Sequence, residues 1–343
     1  GGLPLRRRSI EELHAARRFC REEGATHCFF PYLNLLLYAL GRSDGHAPGF
    51  GVSGILFSPG IRSELDRSRP VESLRLLGAR VRKAGIVAWL LRSPVLTRVF
   101  VLNDRATVRT LNRLARRRPF RYLVDPVPPV PDGLEGASGL RETYGIPPER
   151  RIALLLGSLQ RRKGVLEAVE AAARLPDDVA SRTALVLAGR VDEEVTSELD
   201  AALADLRRRN PGLEVVLDDR YLTGEEVAVA FRDCDVILAP YQIRHDASSG
   251  VLSHAALHRK PVIVPSHDLI ARLTREYALG IPTDVRDPEA LARSLGRALS
   301  DPDRHVDPAR MAAYVEERRP ERFASTILDS LSVQAGREEG GRG

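Results

Sequence analysis

From Arg151 onward, apolar positions alternate between two kinds of run. Short continuous runs fall at Ile152–Leu156, Ala184–Ala188, Leu213–Leu217, Asp235–Ala239 and Pro261–Val264. Between and after them, apolar residues recur at three- and four-residue spacing over Gly164–Leu175, Asp192–Arg209, Gly224–Arg232, Gly250–His258, Asp268–Ala278 and Pro288–Leu299. Continuous runs are strands buried on both faces, and the spaced stretches are amphipathic helices. Strict strand–helix alternation with short connections predicts an α/β fold: a doubly wound, Rossmann-like parallel sheet with right-handed crossovers. Two more helices, Asp307–Glu317 and Glu321–Val333, follow on either side of Pro320, and a polar tail begins at Arg337.

The first part carries the same alternation less regularly. Ser9–Glu23 reads as a helix with Ile10, Leu13, Ala16 and Phe19 on one face and a Ser9/Glu12 capping box. Strands are expected at Ala25–Tyr32, Val52–Ser58, Arg98–Leu102 and Phe120–Val124, and helices at Leu33–Leu40, Pro70–Leu91 and Asp104–Arg117. Asp125–Gly139, rich in Pro and Gly and without period, reads as a linker. A chain of 343 residues exceeds the ~250 at which single cores stop growing, so two domains are expected. We place them at 1–139 and 140–305, both doubly wound, with the helices of 306–343 crossing back to the first. That first domain lacks an opening strand and glycine-rich turn, so a segment preceding Leu3 is expected.

Charge is uneven. Residues 1–150 hold 25 Lys+Arg against 14 Asp+Glu, and the remainder 27 against 32. The basic N-terminal part suits an anionic surrounding, such as a membrane surface or an acidic acceptor; a plain solvated face is the alternative. Arg80–Phe100 combines Arg80, Arg82, Lys83, Arg92 and Arg98 with Trp89 and its aliphatic neighbours. It reads either as a membrane-resting amphipathic element or as a core helix with a basic outer face. Cys20, Cys28 and Cys234 form no C-x-x-C pair, which points to a reduced, cytoplasmic setting without a structural metal, with peripheral contact at the inner membrane surface as an option. Apolar runs fall short of a membrane span, and no nucleic-acid module is legible.

Two turns carry the chemistry. Ser248-Ser249-Gly250 follows one strand and opens the helix that contains Val251, offering unpaired amides and the positive end of a helix dipole. Gly157-Ser158-Leu159-Gln160-Arg161-Arg162-Lys163-Gly164 follows another strand of the same sheet edge and lacks Walker spacing. Lys163 at a helix start is poor capping unless an anion sits beside it; the alternative is a solvated lysine. Together the turns suggest a phosphate-bearing ligand. At predicted strand ends, Tyr32, Asn34, Ser58, Pro59, Arg62, Asn103 and Asp104 are candidates for a cleft, although Asp104 also fits a helix N-cap.

These segments, with LVLAGR (Leu185–Arg190), Arg220–Tyr241 and Ser248–Pro265, resemble in order and spacing the donor domain of family 4 glycosyltransferases of the GT-B fold. The resemblance implies two Rossmann-like domains around a cleft, the first on the acceptor side. It also implies a retaining, metal-independent hexosyltransferase using a nucleotide-diphosphate sugar and a glycan or glycolipid acceptor, as in polysaccharide biosynthesis. Lys163 and His254 would be catalytic, with Gly157, Ser158, Arg162 and Lys163 at the diphosphate. Ser248, Ser249, Gly250 and Val251 would hold the distal phosphate, and Gly189, Arg190, Tyr221 and Leu222 would frame base and ribose. The chain departs from the family in two places. Ser158 replaces a usual Arg, which Arg161 or Arg162 would supply, and His254 falls where the second of two glutamates is usual. A non-catalytic nucleotide- or partner-binding subunit, or a nucleotide-sugar epimerase of the same fold, are the alternatives.

Overall fold

The computed structural model describes residues 5–42, 49–57, 95–115, 117–131, 133–134, 138–242 and 249–339, with side chains omitted at 5–6, 41–42 and 333–339. The chain divides into two compact units, 1–125 with 321–343, and 126–320. Each is built on one parallel sheet.

In the first unit, helix α1 (Leu5–Glu22) precedes β1 (His27–Phe30), a 3₁₀ turn at Leu33–Leu35 and α2 (Leu37–Arg42). Strands β2 (Gly51–Leu56), β3 (Leu96–Leu102) and β4 (Phe120–Leu123) follow, with α3 (Arg105–Leu114) between the last two. The sheet order is β1-β2-β3-β4. Helix α1 starts a turn earlier than the capping-box reading placed it. Ser9 is therefore inside the helix and fully buried, and its Oγ accepts from Ala39 N at 3.1 Å. A small hydroxyl at that position pins α1 to α2 instead of capping a helix start. Asp104 does cap α3, accepting from Thr107 N at 3.1 Å. The predicted helix Pro70–Leu91, most of the basic segment Arg80–Phe100, and Ser58, Pro59 and Arg62 lie outside the described residues.

The second unit opens with α4 (Leu140–Tyr144) and β5 (Arg151–Leu156). Next come α5 (Val165–Ala172), α6 (Asp177–Ala180), β6 (Thr183–Ala188), α7 (Thr196–Arg209) and β7 (Glu214–Asp218). Helix α8 (Gly224–Asp233), β8 (Val236–Leu238), α9 (Gly250–His258), β9 (Val262–Pro265), α10 (Asp268–Glu276) and β10 (Gly280–Thr283) complete the sheet. Helices α11 (Pro288–Ser300) and α12 (Pro308–Glu317) follow, and α13 (Pro320–Glu339) ends the described chain. The sheet order is β10-β9-β8-β5-β6-β7, all parallel. Ile152, Leu154, Ala184 and Val186 face one buried layer while Ala153, Leu155, Leu185 and Leu187 face the other. Burial on both faces is what makes these strands read as unbroken apolar runs.

Strand order reverses between β5 and β8, so the loops leaving their carboxyl ends diverge and leave a crevice. The residues after β5 and after β8 are those of the two turns singled out in the sequence. Helix α13 belongs to the first unit, with Phe323 and Ile327 packed on Ile55, Phe100 and Leu123.

Candidate functional site

The turn after β5 is shaped by close backbone approach. Gly157, at φ 114°, donates its N–H to Ala188 O, and Leu159 N donates to Arg190 O. A Cβ on Gly189 would sit 2.2 Å from Gly157 O, so the β5 and β6 turns meet backbone against backbone. The chain then makes a 3₁₀ turn at Arg161–Lys163 and reverses at Gly164, whose φ of 76° brings it under Pro240. A Cβ there would lie 2.0 Å from Pro240 O. Gln242 N donates to Arg162 O at 3.0 Å, stapling the loop after β8 onto the lysine loop.

That staple brings Lys163 to Tyr241. The Lys163 Nζ donates to the Tyr241 hydroxyl at 3.3 Å and stands 4.6 Å from the ring centroid. Tyr241 is buried, and its hydroxyl is 2.7 Å from Ser249 Oγ. Ser249 caps α9, accepting from Val251 N at 3.3 Å. A single aromatic side chain therefore joins the ammonium group to the positive end of a helix. Lys163 is half-buried and keeps further donors beyond the Tyr241 contact, as an ammonium has three. A cation and a helix N-terminus held together at a sheet switch point are the groups that can accept an anion.

The other sequence candidates divide. Gly157 and Gly189 shape the floor, and Ser158, Arg162 and Gly250 are exposed around it. Arg161 is engaged with Glu198 and so is not a substitute for the missing arginine, whereas Arg162 is exposed. Ser248 lies outside the described residues. Arg190 reaches Asp219 at 3.4 Å, and the same carboxylate accepts from Val191 N at 2.8 Å. Tyr221 is 82% exposed, and Leu222 packs on the core. Beside them lies a cavity of about 360 Å³ lined by Tyr144, Arg220, Leu222, Thr223 and Glu226. Its rim is ordered by a capping box in which Thr223 and Glu226 bond reciprocally, with Arg220 on Glu226.

His254 packs against aromatic neighbours on α8 and α9. Its ring stacks on Phe231 of α8 at 4.2 Å and lies 6.0 Å from His258. Burial, with a smaller contribution from His258, brings it down to about 4, so it is neutral at physiological pH. Helical geometry gives the reason: a residue one turn into α9 on this face points at the neighbouring helix, where an aromatic partner outcompetes the crevice. Two residues went unnoticed in the sequence. Tyr241 carried a weak signal, a lone aromatic directly after the apolar strand and Pro240. Glu167 carried none. It sits in the first turn of α5 with Oε2 buried and without a hydrogen-bond partner, and burial raises its pKa.

In the first unit, Asn34 is committed to structure. It donates to Phe57 O and accepts from Phe57 N, both at 2.7 Å, closing the end of β2. Asn103, at φ 55°, is buried and accepts from Asp125 N at 3.1 Å. Tyr32 is exposed and leans on Phe57 at 5.2 Å. Among the described residues no helix is long and apolar enough to cross a membrane.

Two parallel α/β units, the second with an anion-type crevice at its switch point, define the GT-B class of fold. Residues 139–318, just over half the chain, match the glycosyl transferases group 1 family, and the chain belongs to that family. It is similar to the D-inositol 3-phosphate glycosyltransferase of Xylanimonas cellulosilytica, 30% identical over 189 residues, which are 54% of this chain and 42% of that protein. The chain thus spans less than half the length of this curated relative. Among solved structures it is similar to a UDP-forming trehalose-phosphate synthase from Burkholderia xenovorans in complex with glucose-6-phosphate. That likeness has TM-score 0.69 and 12% identity, and covers 94% of this chain and 78% of the other. It is also similar to HepE from Anabaena in complex with UDP, at TM-score 0.66 and 13% identity, covering 94% and 82%.

Proposed function

We propose that the chain is a glycosyltransferase whose second unit binds a nucleotide-diphosphate sugar, the transferred hexose going to a glycan or glycolipid-type acceptor with retention and without a metal. The observation that carries this reading is the contact of Lys163 with Tyr241 and, through it, with the N-terminus of α9. Transfer leaves negative charge on the departing diphosphate. A preorganised ammonium and a helix dipole stabilise that charge most where it is fullest, in the transition state and the product. Arg162 at the rim adds a second cation, and the turns at Gly189–Arg190 and Tyr221–Leu222 would frame the nucleoside. HepE is solved with UDP-glucose, and the trehalose-phosphate synthase is UDP-forming, so UDP-sugars are the first donors to test. A cytoplasmic location with peripheral membrane contact through the basic first unit completes the proposal.

A second reading has one observation behind it. His254 stands where the resemblance expects a glutamate, and its neutral ring is occupied by Phe231. A subunit that binds a nucleotide without turning it over would tolerate that exchange. Release of nucleoside diphosphate from UDP-glucose in the presence of acceptor extracts separates the two: turnover lost in Lys163→Ala supports the transferase, and binding without turnover supports the subunit.

A further inference from the structure

A cavity of about 1010 Å³ is bounded by the end of α5, by α6, by the last residue of β10, by α11 and by the 3₁₀ turn at Asp303–His305. None of its lining residues belongs to the turns after β5, β6 or β8. Arg174 lies beyond the carboxyl end of α5, about 15 Å along the chain axis from Gly164 at the other end.

Its lining is unusual in charge. Arg174, Arg293, Arg297 and Arg304 face two carboxylates, Glu289 and Asp301. Arg174 is half-buried and held by Glu170 at 2.7 Å and Glu289 at 3.1 Å, which accounts for Glu289. Arg293 touches Asp287 at 3.8 Å. Arg297 contacts Ser294 Oγ at 3.5 Å, and neither it nor Arg304 has a carboxylate partner among the described residues. Two guanidinium forks without a carboxylate partner line the same cavity, and a phosphate can take paired N–H donors from each.

The rest of the cavity suits an organic body. Thr283 and Ser294 are buried at its base with their hydroxyls 2.9 Å apart. Pro176, Val179, Ala290 and Ala292 supply apolar wall. Apolar wall beside convergent polar groups is a usual form of a small-molecule site. We propose that this cavity binds a small phosphomonoester through Arg297 and Arg304, independently of the donor crevice.

Calorimetric titration of the whole chain with glucose 6-phosphate, AMP and inorganic phosphate tests this, with Arg297→Ser/Arg304→Ser and Lys163→Ala variants. All three changes are on side chains with solvent access, and circular dichroism checks that the fold is kept. We expect glucose 6-phosphate or AMP to bind the wild type and Lys163→Ala equally, tighter than inorganic phosphate, and at least tenfold more weakly to the double variant. Absence of binding by the wild type would overturn the proposal. So would binding lost in Lys163→Ala but kept in the double variant, because the probe would then sit in the donor crevice. Binding of inorganic phosphate as tight as the esters would overturn the organic-body part. A failure of UDP to bind leaves these readouts intact, so the two sites stand or fall separately.

Discussion

The Tyr241 hydroxyl lies 2.7 Å from Ser249 Oγ, bridging the loop after β8 to the first turn of α9. Because Lys163 Nζ reaches the same hydroxyl, residues separated widely in sequence share one hydrogen-bonded group at the switch point of the sheet. Position, charge and helix orientation there all follow from the parallel topology.

Tyr241→Phe keeps the buried ring and removes only the bridge. Loss of a buried hydrogen bond should cost about 1–2 kcal/mol, read as a lower urea midpoint. Freed from its acceptor, Lys163 should also be less well placed, so nucleoside diphosphate affinity should fall several-fold. An unchanged urea midpoint and affinity would mean that the bridge is incidental.

Gly164 and Gly224 make a matched pair. Gly164→Ala places a methyl 2.0 Å from a backbone carbonyl at a φ of 76° and should destabilise by about 2–4 kcal/mol, with the lysine loop displaced. Gly224→Ala, at the start of α8, meets nothing within 4 Å and should be neutral or stabilising by up to about 1 kcal/mol. Urea unfolding of both variants checks the contrast.

His254 gives the fold a pH dependence. Its folded pKa of about 4 lies below the ordinary value of 6.5, so the unfolded chain takes up the proton first. Stability from this group is complete above pH 6.5 and is lost as pH falls toward 4. The residual solvent access of the part-buried ring limits the effect to on the order of 1–2 kcal/mol. Urea midpoints at pH 7.5, 6 and 5 should drop less in His254→Gln than in the wild type; parallel profiles would show that His254 does not titrate between the folded and unfolded states in this window.

Much of the second unit was legible because its inner strands are buried on both faces and its helices are spaced by period. The strand Gly280–Thr283 was not: GIPT has a glycine, a proline and too little apolar length, and pairing with β9 at the sheet edge alone makes it a strand. Helix α4, directly after the stretch that reads as linker, was not legible, since its five residues bury only Leu140. Ser9 was misread because a capping box and a buried hydroxyl look alike until the partner helix is seen. At the site, the two turns announced themselves by glycine and serine, while Tyr241 and the turn of His254 toward Phe231 depend on contacts that no spacing encodes.

The most direct measurement is calorimetric titration of UDP, GDP and ADP into the wild type and Lys163→Ala, with melting temperatures recorded for both. The account predicts that one nucleoside diphosphate binds the wild type, and that Lys163→Ala weakens it at least tenfold while melting within a few degrees of the wild type. Equal affinity in the two proteins, or no binding of any nucleotide by the wild type, would contradict a diphosphate site built on Lys163 and the N-terminus of α9.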